Sequence, residues 1–366
     1  MNVHAFSLPG SYLVIELANG CNLKCEHCAQ SDASHPHYAR TGYFPRPALQ
    51  SLLEDLDVHR IRFDTLILFW LGEALLHPEF EAIYADLLPY CGDDRPFKRV
   101  EVHTNATTLS RRMAARILNR SPAPQRWHLT LDAATAATYR AVKGVDLFDR
   151  AEENVRRLIE FKGRGGFPRP QLILQYIIGE KNASEVGAFL ARWESLLDRA
   201  RLSHSRTAFH VPDDTEKTWL YLKSLDCPTP ALQARANALY KKVVAGLGLA
   251  PRHTPEAGAR IEAPEGHLAR TLTTPCSAFW KSPVIGWDGM LTTCTRDSLG
   301  ENALGNVLET PFSRLWFGEG RIARWREAVG KGNYDDLPLC RRCFIPRSVN
   351  YTGITRAEIA SVENAA

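Results

Sequence analysis

The sequence predicts an α/β protein: parallel strands joined by crossover helices, then a small C-terminal α+β unit organised around cysteines. Three observations carry that expectation. From Tyr12 to about Ser203, short β-type runs alternate with helix-like segments, the pattern expected of strands that need a crossover to run parallel. From Thr271 the chain becomes turn-rich and its strands short. Seven of the nine cysteines fall into two groups towards opposite ends, which in a reducing compartment points to metal rather than to a disulfide framework.

Taken in order, Tyr12–Ala18 is a strand feeding directly into the first cysteine group. Thr65–Trp70, Arg99–Thr104, Trp127–Asp132 and Gln171–Ile178 read as later strands, with a weaker sixth near Arg199–Ser203. Helices are expected around Ala48–Val58, Phe80–Tyr90, Ser110–Asn119, Phe148–Phe161 and Ser184–Leu197. Six such units suit a barrel with its chemistry at the C-terminal rim, or a doubly wound open sheet. His204 to about Arg270 carries Pro212, Pro228, Pro230, Pro251, Pro255 and Pro264, with one helix at Leu232–Leu247. It reads either as a bridge packed between domains or as an exposed connection. Beyond it come short strands at Val284–Gly286 and Leu291–Cys294, then helices at Pro311–Trp316 and Arg321–Val329. The expected divisions are a core at 1–204, a bridge at 205–270, a cluster domain at 271–350 and a peripheral tail at 351–366.

A chain of 366 residues has room for one large domain and a smaller one. Its net charge of +4, spread along the length, is too mild to argue for nucleic acid as a partner. No apolar run approaches a membrane span, and the N-terminus lacks a signal-peptide pattern. A cytoplasmic protein is expected, with no membrane partner.

Cys21, Cys25 and Cys28 are spaced C-x3-C-x2-C. Three thiolates in eight residues can hold three corners of a four-iron cluster and leave one iron open; a zinc knuckle or ordinary buried thiols are the rival readings. The loop resembles that of the radical S-adenosylmethionine (radical SAM) family. The resemblance implies a partial (βα)6 barrel core and a [4Fe–4S] cluster whose open iron chelates SAM. It further implies reductive cleavage of SAM to a 5′-deoxyadenosyl radical, fed by a low-potential electron donor such as flavodoxin or ferredoxin.

Further segments resemble family elements in order. Leu71-Gly-Glu-Ala74 resembles the Gly-Gly-Glu-Pro loop that binds the SAM amino group; Gly72 and Glu73 match, Leu71 and Ala74 depart. His103-Thr-Asn-Ala106 resembles the Thr-Asn-Gly strand end, making Asn105 a candidate for positioning SAM. Asp132, in Thr130-Leu-Asp132, resembles the Ser-x-Asp segment and is a candidate for a ribose hydroxyl or the substrate, although Asp there is also a common helix cap. Gly179 would suit adenine contact near a strand end. His27 stands beside Cys28 as a neighbour to the cluster, with no ligand role required.

Cys276, Cys294, Cys340 and Cys343 are spaced C-x17-C-x45-C-x2-C. With Ile285-Gly-Trp-Asp-Gly-Met-Leu-Thr-Thr-Cys294 around them, they resemble the SPASM/Twitch extension, which binds auxiliary [4Fe–4S] clusters. Four thiolates fill one cluster; Cys91 and Cys227 are too isolated for a second, and tetrahedral zinc is the alternative. A saturated cluster relays electrons rather than chelating substrate. The expected function is therefore hydrogen abstraction from a C–H bond with oxidation, and the resemblance to single-cluster members implies a polar small molecule, such as a sugar or aminocyclitol alcohol, as the substrate. The substrate could instead be a ribosomally made peptide, although Cys21 comes so early that no N-terminal peptide-recognition domain is expected before the core. A protein of another class, transferring electrons or scaffolded by zinc without SAM chemistry, would make no 5′-deoxyadenosine. No residue declares itself the general base.

Overall fold

The computed structural model describes residues 6–35, 38, 40–208, 210–249, 275–345 and 353–363. Strands β1 (Phe6–Ser7) and β2 (Tyr12–Ile15) lie in succession along one edge of β3 (Ile61–Ile67), parallel to it. Helix α1 (Arg46–Val58) makes the crossover from β2 to β3. The step then repeats. Helix α2 (Phe80–Leu87) leads to β4 (Phe97–Thr104), and α3 (Arg111–Ile117) to β5 (Gln125–Thr130). Helices α4 (Ala136–Lys143) and α5 (Phe148–Gly165) lead to β6 (Gln171–Ile178). After α6 (Val186–Arg199) come β7 (His204–Ala208), β8 (Thr218–Ser224) and α7 (Pro230–Gly246).

These strands pair in the order β2-β3-β4-β5-β6-β8-β7, all parallel. A doubly wound sheet reverses its strand order at a switch point. Here β2 to β6 run in chain order without reversal, so right-handed crossovers place the helices on one side and the sheet curls into a partial (βα)6 barrel. Side chains alternate accordingly. Val100, Val102, Trp127, Leu129, Leu172, Leu174 and Tyr176 are fully buried on the helix-facing side. Trp127 meets Phe80 of α2 edge-on at 5.8 Å, and Tyr176 meets Phe189 of α6 at 4.8 Å. Each such side chain contributes about 1.5–3 kcal/mol on burial.

The sixth strand corrects the sequence expectation. Arg199–Ser203 closes α6 and turns; the strand that pairs with β6 is Thr218–Ser224. Strands β7 and β8 thus carry the core sheet past residue 204 into the expected bridge. The signal was present: Trp219, Tyr221 and Lys223 alternate with Leu220 and Leu222, but flanking prolines masked it. Helix α7 forms close to its expected place, while Pro251, Pro255 and Pro264 lie outside the described residues.

The C-terminal part comprises α8 (Ala278–Lys281), a small sheet of β9 (Val284–Ile285), β10 (Met290–Thr292) and β11 (Gly305–Asn306), then α9 (Phe312–Phe317), α10 (Arg321–Gly330), α11 (Pro338–Arg342) and α12 (Arg356–Glu363). Strand β9 adds in parallel to β2, so this small sheet continues the core sheet. The N-terminus of α9 docks on α1, where Ser313 donates its N–H and hydroxyl to Asp55 at 2.8 and 2.7 Å. Phe317 packs on Phe6 at 5.0 Å. In the expected tail, Ile354 and Val362 are buried, so its described part belongs to the packed structure. No described helix is long and apolar enough to cross a membrane.

Candidate active site

The loop after β2 is held from several sides. Glu73 N donates to Gly20 O at 2.9 Å, Lys24 N to Lys143 O at 2.9 Å and Glu26 N to Val142 O at 3.2 Å. The last two bonds bracket Cys25. Leu23 is buried as the anchor, and its N–H donates to Cys21 Sγ at 3.5 Å. Cys21, Cys25 and Cys28 are half-buried. Burial pushes all three thiols up, Cys21 to about 12. Such thiols stay protonated unless a cation draws the proton off, which fits them to metal. His27 is exposed.

Gly72 is required by the chain itself. A Cβ there would lie 1.8 Å from the Ala18 carbonyl oxygen, so only glycine lets the loop after β3 lie against the start of the cysteine loop. Glu73 is buried, yet its carboxylate is saturated by Thr104 Oγ1 (2.8 Å), Asn105 N (2.8 Å) and Leu75 N (3.1 Å). Burial raises its pKa and these donors partly offset the rise. Asn105 turns its amide to Asn22 Oδ1 at 3.0 Å and towards Cys21 Sγ at 3.9 Å, and its Oδ1 accepts the Thr107 N–H and hydroxyl. Gly72, Glu73 and Asn105 thus meet at the cysteine loop.

Asp132 is not a helix cap, and its carboxylate is already engaged. It is fully buried at φ +58°, with Oδ2 2.5 Å from Lys143 Nζ and Oδ1 accepting Ile177 N at 2.6 Å. The cap of α4 is Thr135. Gly179 follows β6, its N–H donating to Asn182 Oδ1 at 2.7 Å, and a Cβ there would have room; no contact among the described residues demands glycine.

Three features escaped sequence reading. Lys143, buried at the end of α4, has no motif of its own; burial alone would lower its pKa, but Asp132 and Cys25 outweigh this and raise it. Glu16 looks like an ordinary strand residue, yet it accepts Leu71 N (3.1 Å), Gly72 N (3.2 Å) and Trp287 N (3.5 Å), joining three loops. Burial pushes its pKa up to about 7 despite those donors.

The third feature is the barrel lumen. Glu101, His103, Arg126, His128, Gln171 and Gln175 occupy the face opposite the apolar one. The period-2 alternation could have shown this polar face. His103 and His128 stack at 4.0 Å and 3°, with Phe69 on the far side of His103 at 4.4 Å. Both Nε2 atoms lie 3.7 Å from Glu101 Oε2, and among the described residues neither has a partner within hydrogen-bonding distance. Burial pushes both imidazoles down, His128 to about 3. Burial alone would raise the Glu101 carboxyl; the facing histidines and Arg99 hold it well below the usual carboxylate range. Ring nitrogens bind metal in their ring planes, so parallel stacked rings cannot direct both Nε2 lone pairs at one ion. The trio is therefore read as a proton and hydrogen-bond site. Below it, Arg126 Nη2 donates to Pro212 O (2.9 Å) and Gln171 Nε2 to Asp214 O (2.7 Å), so the β7–β8 connection spans the N-terminal mouth.

Cys276, Cys294, Cys340 and Cys343 line one cavity of about 30 Å³ with Phe279 and Leu339. Arg296 N donates to Cys294 Sγ at 3.4 Å and Asn302 Nδ2 to Cys340 Sγ at 3.2 Å. Zinc–sulfur bonds of about 2.3 Å would bring four thiolates to about 3.8 Å from one another. Among the described residues, no three of the seven sulfurs lie within 4.8 Å of one another. That wider spacing suits a four-iron cube, whose irons sit at separate corners.

Family models agree with this layout. The radical SAM superfamily model matches residues 15–170, and the SPASM model, an iron–sulfur cluster-binding domain, matches residues 276–344. No curated protein matches the sequence. Among solved structures, native anSMEcpe with bound AdoMet superposes with a TM-score of 0.58 at 14% identity, over 97% of this chain and 95% of that one. SuiB of Streptococcus suis bound to S-adenosylmethionine gives 0.52 at 13%, over 86% and 67%. BtrN in complex with AdoMet and 2-DOIA gives 0.46 at 14%, over 92% and 94%, too loose to bear on function. At these identities the likeness is one of fold. The chain thus carries a radical SAM domain and a C-terminal SPASM domain, which imply a [4Fe–4S] cluster, SAM and auxiliary iron–sulfur as its cofactors.

Proposed function

We propose that this protein oxidises a polar small molecule, such as a sugar or aminocyclitol alcohol, at a C–H bond, with the substrate seated in the barrel lumen. The observation that carries the reading is the lumen's polarity: side chains of β4, β5 and β6 offer Glu101, His103, His128 and Gln175 where barrels are commonly filled by Val, Ile and Leu. When bound at Cys21, Cys25 and Cys28, and at a single auxiliary site on Cys276, Cys294, Cys340 and Cys343, the cofactors supply a hydrogen-atom acceptor derived from SAM and an acceptor for one electron. The chain's own part is to hold the substrate and take its hydroxyl proton. His103 Nε2 and His128 Nε2 are uncharged and short of donors, so they accept hydrogen bonds from substrate hydroxyls, and the neighbouring Glu101 carboxylate stabilises an imidazole that gains a proton. Loss of one hydrogen atom, one proton and one electron converts the alcohol to a carbonyl. Glu73, Asn105, Asn22 and Gly72 shape the SAM side of the site, and Gly179 lies at its rim.

The test uses anaerobically reconstituted protein with SAM, dithionite and either low-mass metabolite fractions or ribosomal-peptide fractions. Supporting the proposal, a small molecule would stimulate 5′-deoxyadenosine formation and lose two mass units. Stimulation by peptide fractions alone would make the protein a peptide maturase; anSMEcpe with the Cp18Cys peptide and SuiB with its precursor peptide SuiA share the fold. An iron-loaded protein that makes no 5′-deoxyadenosine with any reductant would point to electron transfer.

A further inference from the structure

Lys143 and Asp132 are among the most deeply buried charges in the chain, at 3% and 0% exposure. A buried ion pair recovers its desolvation cost only with good geometry and further hydrogen bonds, and an apolar pair often serves stability as well. The pair's position suggests why charge stands here. Lys143 is the last residue of α4, and its carbonyl accepts the Lys24 N–H at 2.9 Å, while Val142 O accepts the Glu26 N–H at 3.2 Å. Gly144, at φ +72°, lets this turn press on the cysteine loop; a Cβ there would lie 2.2 Å from Lys24 O. The helix end is thus fastened on both sides of Cys25. Asp132 is tethered on the other side, its Oδ1 to Ile177 N at 2.6 Å and its carbonyl to Asn182 Nδ2 at 2.9 Å. The buried pair is therefore fastened to the cysteine loop at the Lys143 end and to β6 and the turn after it at the Asp132 end.

We propose that the Lys143–Asp132 pair is an oriented buried dipole that sets the reduction potential of an iron–sulfur cluster held by Cys21, Cys25 and Cys28. It rests on the assignment of that cluster to this loop. A fixed positive charge beside a cluster favours its reduced form, and in a water-poor setting the effect is little screened. Lys143 is a positioning residue in this role, acting through its field and not on the substrate.

The test is an EPR-monitored redox titration of the reconstituted full-length protein without SAM. The signal of the open-iron cluster is first identified as the one that SAM perturbs. Lys143→Met should shift its midpoint negative by about tenfold in the reduction equilibrium, about 59 mV for one electron. Asp132→Asn should shift it positive, and Lys143→Arg should restore the wild-type value. Midpoints that stay together, or that move the same way in Lys143→Met and Asp132→Asn, would overturn the proposal. Should Lys143→Met fail to hold iron, the sign of the Asp132→Asn shift decides alone. A wild type that binds iron only at its C-terminal cysteines would instead sink the cluster assignment beneath it.

Discussion

Glu73 Oε2 accepts the Asn105 N–H at 2.8 Å, so the loop after β3 and the end of β4 form one hydrogen-bonded unit facing the cysteine loop. Two segments that read separately in sequence share a single carboxylate. Its other oxygen takes the Thr104 hydroxyl and the Leu75 N–H. Glu73→Ala leaves three buried donors without their acceptor, which should cost about 2–4 kcal/mol. Urea unfolding of the metal-free protein measures this; a loss under about 0.5 kcal/mol would show the network to be incidental.

Gly72→Ala should act more locally. Its new methyl meets the Ala18 carbonyl, so the β3 loop and the start of the cysteine loop must separate. The expected result is loss of iron from the N-terminal site, about four of about eight irons per chain, with the C-terminal iron retained. Full iron loading in this variant would mean the close approach is dispensable.

The fate of Glu16 is a matter of pH. Its carboxyl titrates near 7 in the folded chain against an ordinary 4.5. The folded state therefore holds a proton that the unfolded chain has released between those values, and stability falls as pH rises through that window. Glu16→Gln removes the dependence. The wild type should gain up to about 3 kcal/mol relative to Glu16→Gln on going from pH 8 to pH 4. Paired urea titrations at the two pH values check the sign, and a wild type that gains relative to the variant on raising the pH would contradict the burial argument.

Much of the barrel was legible because each strand has an apolar face and the strands are evenly spaced. Gln171–Ile178 forms where its residues predict, and Phe80, Arg321 and Phe148 each begin helices as expected. What stayed hidden depends on partners far along the chain. Asp132 reads as a ribose or substrate contact, or as a cap, until Lys143, eleven residues on, is seen buried against it. Glu16 reads as one more strand residue until Leu71 and Trp287 arrive from distant segments. Strand β8 was obscured by prolines on either side of an otherwise clear alternation. Single-residue patterns report which face is buried; they do not report which buried charges meet.

His103→Phe separates function from stability. A phenyl ring keeps the stack between Phe69 and His128 and removes a buried nitrogen that has no hydrogen-bond partner among the described residues. Stability should change by no more than about 1–2 kcal/mol, since the buried nitrogen removed is also a partner of the Glu101 carboxylate, while substrate-dependent 5′-deoxyadenosine formation should fall at least about 100-fold, the scale of a lost acid–base group. Undiminished turnover in a well-folded variant would take the lumen histidines out of the reaction.

Metal content tests the two-ended arrangement most directly. If each cysteine group holds a four-iron cube, wild-type protein reconstituted without oxygen should carry about eight irons and eight acid-labile sulfides per chain. The Cys21/Cys25/Cys28→Ala variant should keep about four of each, and Cys294→Ala should lose mainly the other four, because Cys294 lines the C-terminal cavity. Zinc in place of that second set would require the four C-terminal sulfurs to draw together from their wider spacing to about 3.8 Å. About four irons falling to none in the triple variant, with one zinc retained, would remove the electron acceptor that the proposed oxidation needs. Eight falling to four would leave that acceptor in place and make its potential the next quantity to measure, with Asn302 and its 3.2 Å contact to Cys340 Sγ as the first residue to change.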